Sequence, residues 1–358
     1  MLRSAADLDL DTLLEGFAEG RRIALARAIT VVENERPGFQ ELLHQVLVGG
    51  IGAKRVGLTG PPGAGKSSLV AALSQGWRDR DERVGIVAVD PTSPYSGGAL
   101  LGDRIRMNDL ATDPGIFIRS MATRGSLGGL ATTTREVIDL MDGFGFPRIL
   151  VETVGVGQTE LEITSAADTV VVVLVPESGD GVQAMKAGLM EIADIFVVNK
   201  SDRPGAERLV KELRQAIHLR TGRTMENIPA HHGVDMGAAV RERDGTKTPR
   251  RWEKPEGWQI PVLATTAHTG KGLPELMEAI DAHRAHLESS GELEARRRAR
   301  AETRVRDVVA RELRRYAERV VAGDELVRGL DRIAAGDETP YSLARRFLDR
   351  ILPSGFAD

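Results

Sequence analysis

At 358 residues the chain is long enough for one large domain with appendages, or for two modest domains. A formal net charge of −4 argues against a nucleic-acid-wrapping surface, and the absence of cysteine removes disulfides, thiolate nucleophiles and cysteine-ligated metals. The first residues form no continuous apolar stretch, and no apolar run is long enough to span a bilayer. We therefore expect a cytoplasmic protein without a signal peptide that binds neither nucleic acid nor membranes.

Helical patterns occupy the first 53 residues. Apolar residues recur at roughly helical spacing between Leu13 and Val32, and Pro37-Gly38 then precedes a second short helix through Leu42–Leu47. We expect residues 1–53 to form an N-terminal helical extension.

The middle of the chain, residues 54–287, alternates short apolar runs with longer amphipathic stretches. This alternation is typical of βαβ units, so we predict an α/β fold with a mainly parallel sheet flanked by helices. Residues 222–259 interrupt the rhythm, and we interpret them as a long loop or insertion. The seven candidate strands are Arg55–Thr59, Val84–Val89, Ile116–Arg119, Arg148–Glu152, Thr169–Val175, Ile195–Asn199 and Val262–Thr265.

The last part of the chain, residues 288–358, is rich in arginine and also predicts helices. An apolar stripe between Val305 and Val320 indicates one helix, which Gly323 stops. A second helix is expected from Asp324 to Ala335, and Thr339-Pro340 has the form of an N-cap and first position of a last helix.

A phosphate-binding loop follows the first candidate strand. Residues Gly60–Ser67 match the pattern G-x-x-x-x-G-K-[ST], which predicts that the middle domain is a P-loop NTPase. Glycines let backbone N–H groups wrap a β-phosphate, the lysine bridges the β- and γ-phosphates, and the serine hydroxyl binds Mg²⁺. The nucleotide-binding residues expected here are Gly60, Pro61, Pro62, Gly63, Ala64, Gly65, Lys66, Ser67 and Ser68.

A second motif, Asn199-Lys200-Ser201-Asp202, follows a later strand. An aspartate in this position can accept hydrogen bonds from guanine N1–H and N2–H₂, a pattern that adenine does not offer. Alone, the motif has the alternative interpretation of a strand-ending turn; after a P-loop it favours GTP over ATP. Asn199, Lys200 and Asp202 are therefore expected to bind the nucleotide, and Thr265-Thr266-Ala267 to add backbone contacts to the base.

Acidic residues at strand ends are candidates for the Mg²⁺ site. Glu152-Thr153-Val154-Gly155 has the form of an acid-x-x-Gly element, in which the acid reaches Mg²⁺ through water and the Gly155 N–H meets phosphate. Asp90 and Asp103 are further candidates, although Asp103 is alternatively a helix N-cap. Together with Ser67 these three acids form the expected metal set, and Asp90 is the candidate for positioning the attacking water. Lys66 completes the catalytic machinery, and slow intrinsic hydrolysis is expected.

These elements together resemble the methylmalonyl-CoA mutase-associated GTPases, the MeaB/ArgK family that includes the human cobalamin type A protein. The resemblance runs from about Ala24 to Glu288. The motifs that carry it beyond the P-loop are Val89-Asp90-Pro91-Thr92-Ser93, Gly97-Gly98-Ala99-Leu100-Leu101-Gly102-Asp103-Arg104-Ile105-Arg106-Met107, Gly125-Ser126-Leu127-Gly128-Gly129, Val151-Glu152-Thr153-Val154-Gly155-Val156-Gly157-Gln158-Thr159-Glu160 and Gly179-Asp180-Gly181-Val182-Gln183-Ala184-Met185-Lys186-Ala187-Gly188-Leu189.

The resemblance implies a SIMIBI-class GTPase that binds GTP, GDP and Mg²⁺ and forms a homodimer through a C-terminal helical arm. It implies a chaperone of an adenosylcobalamin-dependent acyl-CoA mutase, with methylmalonyl-CoA mutase as the first choice, that gates cofactor loading and protects the mutase. In the family, the loop matching Gly179–Lys186 is a third switch through which the mutase stimulates GTP hydrolysis. Gln183 and Lys186 fall on its functional positions and join the catalytic set.

Three other functions stay open from the sequence. An ATP-dependent kinase of an amino-acid (arginine/ornithine) transport system needs a phosphoacceptor, and the Asn199–Asp202 motif argues against ATP. A nickel-delivery GTPase calls for Cys/His ligands, which the lack of cysteine disfavours. A nucleotide-dependent scaffold without turnover is disfavoured by the intact Lys66, Ser67 and acidic set.

Overall fold

The described strands of the chain form one parallel sheet. The computed structural model describes residues 10–48, 50, 52–90, 110, 112–122, 132–153, 163–176, 188–220 and 257–351. In this part of the chain seven strands pair in the order β3-β2-β4-β1-β5-β6-β7, and each pairing is parallel. The strands are β1 (Lys54–Thr59), β2 (Val84–Asp90), β3 (Ile116–Ala122), β4 (Arg148–Thr153), β5 (Thr169–Leu174), β6 (Ile195–Val198) and β7 (Val262–Ala264).

Helices connect and cover these strands, as parallel strands require. A short 3₁₀ turn, Ile163–Ser165, precedes β5. The helices are α1 (Leu10–Ala18), α2 (Arg22–Glu33), α3 (Phe39–Val48), α4 (Lys66–Arg78), α5 (Thr132–Gly143), α6 (Leu189–Ile192), α7 (Ala206–Arg220), α8 (Leu273–Ser290), α9 (Glu292–Val320), α10 (Asp324–Ala335) and α11 (Pro340–Ile351). Together with the sheet they confirm the predicted P-loop NTPase fold with helical regions at both ends.

The seven predicted strands are all present, with small differences in their bounds. β3 continues to Ala122, past the predicted end at Arg119. β5, β6 and β7 each end one residue earlier than predicted, which leaves Asn199 and Thr265 just beyond the carboxyl ends of their strands. Every residue of β4 and β5 is buried, as expected for strands covered by helices on both faces.

The N-terminal helices α1–α3 share one hydrophobic cluster with α5 and with strands β2 to β4. The guanidinium of Arg22, at the start of α2, donates hydrogen bonds to the carbonyl oxygens of Asp113, Pro114 and Ile116 beside β3. Farther along α2, Glu33 pairs with Arg119 of β3. These helices are therefore part of the same core as the sheet.

The chain divides into two compact units between Glu294 and Ala295, within α9. In the second unit, Gly329 of α10 packs against the side chain of Leu343 in α11. Thr339 caps α11, since its hydroxyl accepts a 3.1 Å hydrogen bond from the N–H of Ser342. This confirms the N-cap predicted for the last helix.

No helix among the described residues combines the length and the apolar character needed to cross a bilayer.

The strand order places the P-loop at the carboxyl ends of the central strands of the sheet. β1 and β4 are adjacent, with Leu58 opposite Glu152, so the P-loop that follows β1 begins beside the end of β4. β5 and β6 continue the sheet on the other side of β1.

Candidate nucleotide-binding site

The loop from Gly60 to Gly65 connects β1 to α4 and needs glycine at two points. Gly60 has φ 137°, and a Cβ there would overlap the carbonyl oxygen of Val173 in β5. Gly65 has φ 84°, directly before α4, and a Cβ there would overlap the side-chain amide of Asn199. Both glycines have backbone conformations that residues with a Cβ rarely adopt. The loop is thus held close to β5 and to the end of β6.

Lys66 is the first residue of α4 and its side chain folds back over the loop. Its Nζ donates hydrogen bonds to the carbonyl oxygens of Gly60 at 2.8 Å and Pro61 at 3.0 Å. The residue is 5% exposed, so its charge is held at the mouth of the loop beside the N-terminus of α4. A cation and a helix N-terminus at one place form a ready site for phosphate.

Ser67 and Glu152 meet between α4 and β4. The Ser67 hydroxyl donates a 2.6 Å hydrogen bond to Oε1 of Glu152, and both residues are buried. Hydroxyl and carboxylate oxygens are ligands that Mg²⁺ prefers, and phosphate oxygens and waters usually supply the rest. No group of three His, Asp or Glu side chains in the described part of the chain gathers to hold a metal. The Ser67 and Glu152 oxygens thus fit a Mg²⁺ site to which phosphate oxygens and waters would also contribute.

A hydroxyl pair joins the ends of β1 and β4. The Thr153 hydroxyl donates to the Thr59 hydroxyl at 3.0 Å, and both residues are fully buried. Thr59 precedes the P-loop and Thr153 follows Glu152, so this bond fixes the spacing between the loop and the acid. Neither threonine was singled out as a site residue from the sequence, because hydroxyls in apolar strands carry no recognisable pattern.

Asn199 connects three segments of the site. Its Nδ2 donates a 2.9 Å hydrogen bond to the carbonyl oxygen of Ala64 in the P-loop. Its Oδ1 accepts 3.2 Å hydrogen bonds from the Thr265 hydroxyl and from the Ala267 N–H. The residue is 2% exposed, and its bonds to Ala64 and Thr265 are buried. The phosphate loop and the two segments expected to bind the base are therefore fixed to each other.

The rest of the Asn199–Asp202 motif forms a tight turn. Lys200 has φ 55°, an uncommon value for a residue with a side chain. Ser201 follows half-buried, and Asp202 is exposed at the rim. An exposed carboxylate at this position is accessible to the donor edge of a base.

Four of the expected site residues lie outside the described part of the chain: Gly155, Asp103, Gln183 and Lys186. Asp90 is the last residue of β2, but its side chain is not among those described. Of the expected metal set, the structure thus brings together Ser67 and Glu152.

A cavity of about 660 Å³ lies along α7 and the end of β7. Its lining includes Ser201 and the cationic residues Lys211, Arg214 and Lys271, and none of the P-loop residues. It therefore lies apart from the P-loop and reaches the Asn199–Asp202 motif at Ser201.

Comparison with known proteins adds the family context. A family model described as methylmalonyl Co-A mutase-associated GTPase MeaB matches residues 25–322. A Pyrococcus horikoshii protein is 47% identical over 301 residues, which cover 84% of this chain and 86% of that protein. The methylmalonic aciduria type A homolog of Mus musculus is 35% identical over 305 residues, covering 80% of this chain and 66% of that protein. The crystal structure of LAO/AO transport system kinase has a TM-score of 0.64 and 25% identity, covering 96% of this chain and 99% of that one.

Proposed function

The chain belongs to the methylmalonyl-CoA mutase-associated GTPase family MeaB, and on that premise we propose that it hydrolyses GTP as the chaperone of an adenosylcobalamin-dependent acyl-CoA mutase. In this role it gates cofactor loading and protects the mutase, of which methylmalonyl-CoA mutase is the first candidate. The observation that carries the guanine-nucleotide part of the proposal is the position of Asn199, which bonds the P-loop to the segments that would hold guanine. The mutase part is supported by the family match.

The chain would catalyse this hydrolysis mainly by electrostatic stabilisation of the transferred phosphoryl group. Lys66 turns from the carbonyl oxygens of Gly60 and Pro61 to the phosphate oxygens and neutralises charge on the transferred phosphoryl group. Backbone N–H groups of the loop and the N-terminus of α4 orient the β-phosphate. Ser67 and Glu152 would hold Mg²⁺, which supplies further neutralisation of phosphate charge when bound. Asp90, at the end of β2, is proposed to orient the attacking water.

We propose that the mutase accelerates this step through the segment that contains Gln183 and Lys186. The test is single-turnover GTP hydrolysis, measured alone and with an adenosylcobalamin-dependent acyl-CoA mutase. A slow rate alone that rises with the mutase, but not with a cobalamin-independent enzyme of similar size, supports the proposal. A fast rate without any partner, or no response to the mutase, contradicts the chaperone role.

The second compact unit supports a homodimer. Val305, Val309, Leu313 and Tyr316 lie on one face of α9 and are each exposed. Exposed apolar stripes of this kind commonly mark protein interfaces. Light scattering should report a dimer for the wild type, a monomer for Leu313→Glu and a dimer for the matched surface change Arg314→Glu. A monomeric wild type would exclude this interface.

One alternative is favoured by a specific observation. The structurally similar protein named LAO/AO transport system kinase carries the name of a different activity. An ATP-dependent kinase of an amino-acid transport system would use the same P-loop but has no need of a guanine-specific turn. Nucleotide preference therefore separates the two functions.

A further inference from the structure

A second pair of hydroxyls joins the two segments expected to bind the base. The Oγ of Ser201 and the Oγ1 of Thr266 lie 3.0 Å apart, within hydrogen-bond distance. Ser201 is half-buried and Thr266 is 3% exposed, so the bond is largely protected from water. We call this pair the hydroxyl latch. Ser201 stands directly before Asp202 in the chain.

The backbone around Ser201 explains why the latch matters. Lys200 lies in the left-handed region with φ 55°, a conformation that costs free energy for a residue with a Cβ. On one side of Lys200, the N–H of Asn199 donates to the carbonyl oxygen of Leu174 at 2.8 Å. On the other side, the N–H of Ser201 donates to the carbonyl oxygen of Thr265 at 2.9 Å. Strained turns of this kind persist only when both flanks are fixed.

The other hydroxyl of the latch belongs to Thr266, whose backbone is held by hydrogen bonds. The N–H of Thr266 donates to the carbonyl oxygen of Lys271 at 2.9 Å, and the N–H of Thr265 donates to that of Val198 at 2.9 Å. The segment after β7 is thereby fastened to itself and to β6. The position of the Thr266 hydroxyl is therefore set by its backbone, and the Ser201 hydroxyl lies within hydrogen-bond distance of it.

We propose that the hydroxyl latch is a positioning device that sets the direction of Asp202 and so determines how strongly the site selects guanine. The inference rests on the proposed function, because it presupposes that Asp202 accepts hydrogen bonds from guanine N1–H and N2–H₂. Neither hydroxyl needs to contact the base. Without the latch the two backbone bonds still hold the turn, but the Ser201 side chain is no longer fixed next to Asp202. The Asp202 carboxylate then no longer meets both donors at once.

A positioning role and a merely structural role predict different nucleotide profiles. If the latch only stabilised the fold, its loss would weaken every nucleotide by a similar factor. If it positions Asp202, the loss of affinity is greatest for guanine and absent for adenine, since adenine makes no such bonds. Inosine is intermediate because it keeps N1–H and lacks the exocyclic amino group.

The test measures dissociation constants of GDP, IDP and ADP for the full-length protein by calorimetry. For Ser201→Ala and for Thr266→Val we expect GDP affinity to fall roughly fivefold to tenfold, the effect of one lost hydrogen bond. ADP affinity is expected to stay unchanged, and the preference for GDP over IDP to shrink towards one. The double variant should be no worse than either single variant, because both remove the same bond.

Three controls accompany these variants. Thr266→Ser and Ser201→Thr keep a hydroxyl at each position and should retain most of the guanine preference. Thr269→Val removes a hydroxyl that donates to the carbonyl oxygen of Thr266 within the same turn and does not take part in the latch, and it should leave all three affinities unchanged. If Thr266→Val fails to fold, Ser201→Ala decides the question by itself, because its side chain is half-buried.

Equal losses for GDP, IDP and ADP, or no loss for any of them, would overturn the positioning role. A wild type that binds ADP as tightly as GDP would instead overturn the proposed function, whatever the variants do. The two failures are therefore distinguishable in the same set of titrations.

Discussion

Ser67 and Glu152, 85 residues apart in the chain, share a buried hydrogen bond of 2.6 Å between hydroxyl and carboxylate. The contact joins the first turn of α4 to the end of β4. It brings together two of the four residues proposed to hold Mg²⁺, and Ser67 is next to Lys66 in the chain.

Replacing Glu152 with glutamine tests this metal site. Gln keeps the size of the side chain and an oxygen acceptor for Ser67 but removes the negative charge that attracts Mg²⁺. We expect the Mg²⁺ concentration for half-maximal GTP hydrolysis to rise by roughly tenfold, with little change in melting temperature. The control Glu82→Gln removes a carboxylate that pairs with Arg148 and should leave the Mg²⁺ requirement unchanged. An unchanged requirement in Glu152→Gln would remove Glu152 from the metal site.

Lys66→Ala tests the electrostatic account of hydrolysis. Removing a charge that stabilises the transferred phosphoryl group is expected to slow single-turnover GTP hydrolysis by about 100-fold or more. Lys54→Ala is the matched control, since that lysine is partly exposed and pairs with Asp281. A Lys66→Ala protein that turns over GTP at the wild-type rate would contradict the mechanism.

Gly65→Ala tests the contact between the P-loop and Asn199. The added methyl group would overlap the side-chain amide of Asn199, in addition to the strain of φ 84°. We expect GDP affinity to fall by roughly tenfold or more as the bond to Ala64 is lost. Gly291→Ala separates the two causes, because Gly291 has φ 76° with nothing near its Cβ position. That control should lose some stability and keep its GDP affinity.

The architecture was predictable from the sequence because buried parallel strands leave a strong signal. β3 is instructive, since Arg119 interrupts its apolar run and the predicted strand ended there. In the structure Arg119 pairs with Glu33 of α2, and the strand continues to Ala122. A charged residue inside a strand looks like an end until its partner from a distant element is known.

The site was predictable only where residues that are close in the chain carry the chemistry. The P-loop is such a segment, and its sequence pattern reflects one local shape. The bond from Asn199 to Ala64 spans 135 residues, and the pairing of Ser201 with Thr266 spans 65. Contacts of this kind follow from strand order and register, which no local pattern contains.

Acid titration tests a contact outside the site. A hydrogen bond from the Arg78 guanidinium, aided by the N–H of Gly115, lowers the pKa of Asp113 below its ordinary value of 3.8. Because the pKa is lower in the folded state, the ionised carboxylate stabilises the fold above pH 3.8. This stabilisation is lost as the pH falls through the pKa of the folded state. Asp113→Asn should therefore destabilise the protein at pH 7, by an amount that shrinks at low pH.

Urea denaturation at a series of pH values measures this difference. Asp81→Asn is the control, because Asp81 approaches the same Arg78 at 3.9 Å from a fully exposed position. Its difference from the wild type should be small at every pH. A constant difference for Asp113→Asn would show that the ionised carboxylate contributes nothing specific.

The most direct test of the account is the equilibrium preference for GTP over ATP, measured with non-hydrolysable analogues for the wild type and for Asp202→Ala. Asp202 is exposed, so the substitution should leave the fold intact while removing the acceptor for guanine. We predict that the wild type prefers the GTP analogue by at least about 100-fold and that Asp202→Ala loses most of this preference. Equal affinity of the wild type for the two analogues would contradict it.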